Sequence, residues 1–371
     1  MAQRHRTRAV PAAAASAPTR TLIRGQRAEA SFRLELDARP AYDFLISLVS
    51  GGDQEAELLP EDLRWLSGAR DASGTLLGDA ILFGAPARSK GIVTELSSLI
   101  VQRPAIRTAD DLVASVDALS ETELVETLLS DAFEHPELTT LLERTLAGDT
   151  AARSELRARW DELMPEHRIE DLLADPAAAL ARLRAGLRAW LEPFRQVQDR
   201  VARIELGDVE RRRPDLAALP TDEFIERTTG GLRWLPEPRI RRVILAPSYF
   251  ARPYNYLFSG PDWRLVCYPV ADEAIGGADP LAPPAPLVRL HRALGDETRL
   301  RLLRLLVDRD WYLTELAQKL ELSKPTVSHH LILLRTAGLV TVTTEGALTY
   351  YSLRRSRLEE AERDIQHYLG G

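Results

Sequence analysis

The chain has 371 residues, enough for two or three domains, and its 45% hydrophobic and 28% charged content excludes a wholly disordered or fibrous protein. No apolar run approaches the roughly 18 residues of a membrane helix, and a single cysteine, Cys267, excludes an intramolecular disulfide and any multi-cysteine zinc site. The net charge of −7 is unevenly spread: from Leu287 onward 13 Lys/Arg meet 11 Asp/Glu, and from Lys324 to Arg357 the only acid is Glu345, which leaves a local basic face for phosphate.

The first 27 residues hold six arginines and no acid, and read as a disordered basic leader. Residues 28–271 read as a mainly helical α+β domain that senses a ligand or mediates an interaction. It opens on Phe32-Arg33-Leu34-Glu35-Leu36, whose period-2 alternation predicts a strand. Ser120-Glu121-Thr122-Glu123 is a capping box, with Leu124, Val125, Leu128 and Leu129 forming the apolar face behind it. Leu180, Leu183, Leu187 and Leu191 make a second helical stripe, which Pro193 is expected to interrupt.

Strand character returns at Arg242-Val243-Ile244-Leu245 and Arg264-Leu265-Val266-Cys267-Tyr268. Seven of the 23 aromatic residues fall between Tyr249 and Tyr268. Tyr249, Phe250, Tyr254, Tyr256 and Trp263 are therefore candidate walls of a small-molecule effector pocket, against the plainer reading of a core plug. Four prolines and two glycines in residues 272–286 predict a linker.

Nothing favours catalysis. There is no phosphate loop, no dinucleotide fingerprint and no G-x-S-x-G elbow, and the seven histidines include no H-E-x-x-H. No catalytic residue, metal ligand set or cofactor is predicted.

Residues 287–371 carry the strongest pattern. Asp296 caps a helix with Leu300, Leu303 and Leu306 on one face. Thr314 is expected to cap a short helix over Glu315 to Leu320 whose Leu316, Ala317 and Leu320 turn inward. After the turn Glu321-Leu322-Ser323, Ser323 caps a second helix that tolerates Pro325 in its first turn. Val327, Leu331 and Leu334 share the buried face of that helix. Two short helices joined by such a turn place the second in a major groove. Gly338 reads as a helix stop. Leu339 to Thr344 and Leu348 to Leu353 then form a hairpin about Glu345-Gly346-Ala347. Leu358, Ala361, Ile365 and Tyr368 line one face of a terminal helix.

In this order and spacing, several segments resemble the ArsR-type winged helix-turn-helix family of bacterial transcriptional regulators. They are Ala293-Leu294-Gly295-Asp296-Glu297-Thr298-Arg299, Leu316-Ala317, Ser323 to Leu331, Leu334-Arg335, Ala337-Gly338-Leu339-Val340 and Tyr351. More faintly, Ala41 to Leu48 and Val243 to Ser248 resemble the leading regions of long ArsR-type regulators. The resemblance implies a homodimeric repressor that binds an inverted repeat in double-stranded DNA in the cytoplasm. The expected DNA contacts are Thr314, Ser323, Lys324, Thr326, Ser328, His329, His330, Arg335, Tyr350, Arg354 and Arg355. Dimerisation is expected through Leu290, Leu358, Ala361, Ile365 and Tyr368.

The chain departs from the family pattern where metal-sensing members carry a cysteine pair. Trp311-Tyr312-Leu313 stands there instead, and of a terminal-helix ligand cluster only Asp364 and His367 remain. A non-metal-sensing regulator is therefore expected. The wing turn also lacks arginine, and Ile332 stands where lysine is more usual. The rival reading is an enzyme whose N-terminal domain modifies a small molecule while the winged helix serves dimerisation or partner binding.

Overall fold

The computed structural model describes residues 32–81, 95–130, 136–163, 169–234, 237–275, 283–345 and 348–370. The predicted basic leader and the tip of the predicted hairpin lie outside these residues. The first half is mostly helical: β1 (Arg33–Leu36), α1 (Pro40–Val49), α2 (Pro60–Ile81), α3 (Ser97–Gln102), α4 (Ala109–Ala118) and α5 (Glu121–Leu128) come first. There follow α6 (Pro136–Leu146), α7 (Thr150–Leu163), α8 (Glu170–Ala174) and the long α9 (Pro176–Ala218). The α5 start is the predicted capping box, in which Ser120 accepts from the Glu123 N–H at 3.3 Å and the Glu123 carboxylate accepts from the Ser120 N–H at 2.9 Å.

Pro193 does not end the helix. Its ring removes the N–H that would bond the Ala189 carbonyl, and the Ser73 hydroxyl of α2 donates to that oxygen at 3.4 Å instead. The Pro193 carbonyl in turn accepts from Trp65 Nε1 at 3.0 Å. The α2 helix thus supplies the hydrogen bonding that lets a proline sit buried inside α9.

Next come α10 (Thr221–Thr228), β2 (Leu232–Arg233), β3 (Arg242–Ser248), β4 (Tyr256–Ser259), β5 (Trp263–Pro269) and α11 (Asp272–Ile275). The N-terminal sheet has the order β1-β3-β5-β4, with the first three strands parallel and β4 antiparallel. Both faces are covered. Ile244, Ala246, Leu265 and Cys267 enter the core shared with α1, α2 and α9, while Val243, Leu245, Val266 and Tyr268 pack on Phe224 and Ile225 of α10. Burial on both faces explains why β3 and β5 read as near-continuous apolar runs in the sequence.

The C-terminal domain consists of α12 (Ala285–Leu294), α13 (Glu297–Leu306), β6 (Trp311–Tyr312), α14 (Leu313–Leu320), α15 (Lys324–Thr336), β7 (Val340–Glu345), β8 (Leu348–Leu353) and α16 (Arg355–Tyr368). It has its own core of Leu290, Leu302, Leu303, Leu306, Leu316, Leu320, Val327, Leu331 and Leu334. On α13 the buried face uses Leu302 with Leu303 and Leu306, whereas the predicted Leu300 is 49% exposed. The segment read as a linker is helical at both ends, in α11 and at the start of α12, where prolines fit the first turn. Between them, residues 276–282 lie outside the described set.

The two halves also touch. The small sheet has the order β2-β7-β8-β6, so the wing takes its outermost strand from the chain before the linker. Leu232 and Arg233 pair in parallel with Val342 and Thr343. Arg289 of α12 donates to Glu57 at 2.5 Å and to Asp272 at 2.8 Å.

Candidate nucleic-acid interface

The α14 helix starts earlier than expected. Tyr312 is the N-cap, its N–H donating to the Glu315 carboxylate at 3.1 Å, so Thr314 is an exposed residue of the first turn rather than the cap. The helix ends at Glu321 in the left-handed conformation (φ 57°), and the chain turns at once into Ser323. As predicted, Ser323 caps α15: its Oγ accepts from the Thr326 N–H at 3.2 Å and shares a hydrogen bond with the Thr326 hydroxyl at 2.7 Å.

One face of α15 is committed to the core through Val327, Leu331 and Leu334, all buried. Its first turn is therefore free to project outward. Ser323, Lys324 and Thr326 are exposed, and Ser328 and His329 are half-buried beside them. The helix stops at Gly338, whose φ of +75° a side chain would resist and whose Cα is covered by the Arg357 stem. Arg357 is itself held by Asp364 at 2.6 Å.

His330 turns away from this surface. Its Nδ1 lies 3.7 Å from the Asp296 carboxylate, the N-cap of α13, and has no hydrogen-bond partner among the described residues. Burial lowers its pKa, against the opposing pull of Asp296. An expected DNA contact is thus a residue of the α13–α15 junction.

Arg335 also departs from expectation. It is half-buried, and burial lowers its pKa while the phenols of Tyr351 and Tyr254 lie near enough to act on it. A half-buried guanidinium is less available to a phosphate than the exposed residues at the start of α15. Tyr350 stands on β8 beside Tyr312 of β6, with ring centroids 4.3 Å apart and hydroxyls 2.5 Å apart. Tyr312 was not among the DNA contacts expected from the sequence. Arg354 is half-buried ahead of α16, and the exposed Arg355 donates to the Val307 carbonyl at 3.0 Å.

Of the expected dimer residues, Leu290 is fully buried in the protomer core and cannot form an intersubunit contact. Ala361 packs against the same core, and Ile365 is half-buried. Leu358 and Tyr368 are 39% and 38% exposed, joined by Leu369 at 75%.

The aromatic set of the N-terminal domain proves to be core. Tyr249, Phe250, Tyr256 and Trp263 are buried and Tyr254 is half-buried against them. Phe250 packs on Trp65 and Phe194. The Tyr249 hydroxyl donates to Asp62, and that of Tyr256 donates to Gln54 Oε1 at 3.2 Å. With ring faces packed and hydroxyls spent inside the protein, these residues act as the plug of the sheet rather than as pocket walls. Among the described residues no group of three or more His, Cys, Asp and Glu could hold a metal ion.

A helix-turn-helix with a projecting polar first turn, followed by a two-stranded wing and a terminal helix, defines a winged helix-turn-helix domain. The family model "Bacterial regulatory protein, arsR family" matches residues 296–342. The HTH-type transcriptional regulator CmtR of Mycobacterium tuberculosis (strain ATCC 25618 / H37Rv) is 47% identical over 75 residues, 20% of this chain and 64% of CmtR. The transcriptional repressor SdpR of Bacillus subtilis (strain 168) is 34% identical over 72 residues, 19% of this chain and 80% of SdpR. The transcriptional activator HlyU of Vibrio cholerae serotype O1 is 36% identical over 75 residues, 20% of this chain and 69% of HlyU. The chain belongs to the ArsR family through its C-terminal domain, and it spans somewhat less than two thirds of the length of CmtR. No helix among the described residues is long and apolar enough to cross a membrane.

Proposed function

We propose that the chain is a sequence-specific, DNA-binding transcriptional regulator that acts in the cytoplasm as a homodimer. The observation that carries this reading is the first two turns of α15: Lys324, Thr326, Ser328 and His329 stand outside the core formed by the opposite face. A major groove admits such a helix, whose small polar side chains read base edges while Lys324 contacts phosphate. The exposed Leu358, Tyr368 and Leu369 of the terminal helix supply an apolar face for a second copy. Two copies related by a two-fold axis read an inverted repeat.

The N-terminal domain, in this reading, senses a ligand or partner and is not an enzyme; metal is not the signal. The direction of control is repression, the role named for SdpR, although HlyU is named an activator. Selection from random duplexes with the purified full chain tests the reading. A palindromic consensus is the expected product, and recovery of no preferred sequence counts against it.

A further inference from the structure

One contact joins the wing to the N-terminal domain. In an isolated winged helix the outer edge of β7 would be an open row of backbone donors and acceptors. Here β2 adds to that edge in parallel, and the Val342 N–H donates to the Gly231 carbonyl at 3.1 Å. Thr341 and Thr343 of the wing are buried as a result. The approach is so close that a Cβ on Gly231 would stand 3.3 Å from Thr341 Cγ2 and 3.4 Å from the Val340 carbonyl, at a φ of +116°.

A second feature bears on the same wing. Arg335, from the last turn of the proposed reading helix, is held half-buried near Tyr254 and Tyr351, and among the described residues it has no carboxylate partner. The loop bearing Tyr254 is tied to the β2 turn, since Asn255 Nδ2 donates to the Thr229 carbonyl at 2.8 Å. The β2 strand and the loop nearest Arg335 thus belong to one surface of the N-terminal domain.

We infer that this surface is an autoinhibitory clamp: β2 pairing on β7 fixes the wing and keeps Arg335 from the DNA backbone. The inference rests on the DNA-binding reading above. A two-residue strand is a small contact, of the size that a ligand or partner can make or break. Coupling between sites of 1–3 kcal/mol corresponds to roughly 5–150-fold in affinity. Release costs the β2–β7 hydrogen bonds, but it frees an edge and returns an unpaired guanidinium to water or phosphate. The N-terminal domain thereby sets DNA affinity through its hold on the wing.

The test uses the full chain and fluorescence-labelled random-sequence duplex DNA at several salt concentrations. Gly231→Val, which forces the added side chain against Thr341, should tighten binding about five- to tenfold and steepen the salt dependence by about one unit. Arg335→Ala alone should change the Kd less than about twofold, yet cancel the gain when combined with Gly231→Val. Weaker or unchanged binding by a folded Gly231→Val chain overturns the clamp, as does a large loss from Arg335→Ala alone. If Gly231→Val fails to fold, hydrogen exchange on the unaltered chain decides. The Val342 amide should exchange faster when DNA is bound, and equal or slower exchange overturns the proposal. If neither the unaltered chain nor any variant binds duplex DNA, the DNA-binding reading itself falls, an outcome distinct from binding that is simply not restrained.

Discussion

Glu205 of α9 is fully buried within reach of Asp43 of α1, and neither of its carboxyl oxygens has a hydrogen-bond partner among the described residues. Asp43 is better served: it accepts from the Ser248 hydroxyl and from the Tyr249 N–H at 2.7 Å, which clamps α1 onto the loop after β3. Two carboxyls in one dry site cannot both ionise cheaply. Burial, with the charge of Asp43, raises the Glu205 pKa well above the usual range, and burial pushes Asp43 up to about 6.

The sign of the pH dependence follows. Both folded-state pKa values lie above their unfolded values, so both groups favour folding in the protonated form. That contribution is complete below the ordinary carboxylate range and is lost as pH rises through the folded values. Glu205→Gln keeps the shape and removes the cost of burying an ionisable carboxyl. It should stabilise the chain by about 1 kcal/mol or more at pH 8, with a smaller gain near pH 5. Urea titrations at the two pH values measure this, and a variant less stable than the parent at both would refute it.

Separating base reading from phosphate contact is the direct test of α15. Ser328→Ala and His329→Ala should each cost about 1–3 kcal/mol on the selected operator and little on random DNA. Lys324→Ala should weaken both alike and lower the salt slope by about one unit. Isotherms on operator and scrambled duplexes distinguish the two. Equal losses on both duplexes for the Ser328 and His329 variants would remove α15 as the reader.

The proposed dimer contact and the fold should be separable at two leucines. Leu358 is exposed, so Leu358→Glu should shift sedimentation toward the monomer while leaving the helical content intact. Leu290 is buried, so Leu290→Ala should destabilise the C-terminal domain by about 2–5 kcal/mol. A Leu290→Ala chain of parental stability that merely dissociates would return that residue to the dimer interface.

Metal should not control DNA binding. Asp364, half of the residual ligand pair on α16, is engaged by Arg357 at 2.6 Å, and Cys267 is buried in the N-terminal sheet. Zinc, cadmium or arsenite should leave the operator Kd within about twofold. Stoichiometric zinc uptake that weakens DNA binding would contradict this.

The sequence by itself determined the winged helix-turn-helix domain, because its signals act over a few residues. Asp296 and Ser323 cap from adjacent backbone, Gly338 supplies a left-handed stop, and alternation across β7 and β8 marks a hairpin. It also marked β1, β3, β5 and the α5 capping box. What the sequence could not determine depends on partners far along the chain. Pro193 was expected to break α9, but whether a proline ends a helix depends on who satisfies the carbonyl it frees, and Ser73 of another helix does so. Tyr249 and Phe250 could have walled a pocket or filled a core; Trp65, Phe194 and Asp62 decided for the core. Arg335 carries the same charge in any fold, and only the tertiary packing leaves it half-buried rather than exposed. The two residues of β2 are too few to show a period, and they become a strand because the exposed edge of β7 offers them hydrogen bonds.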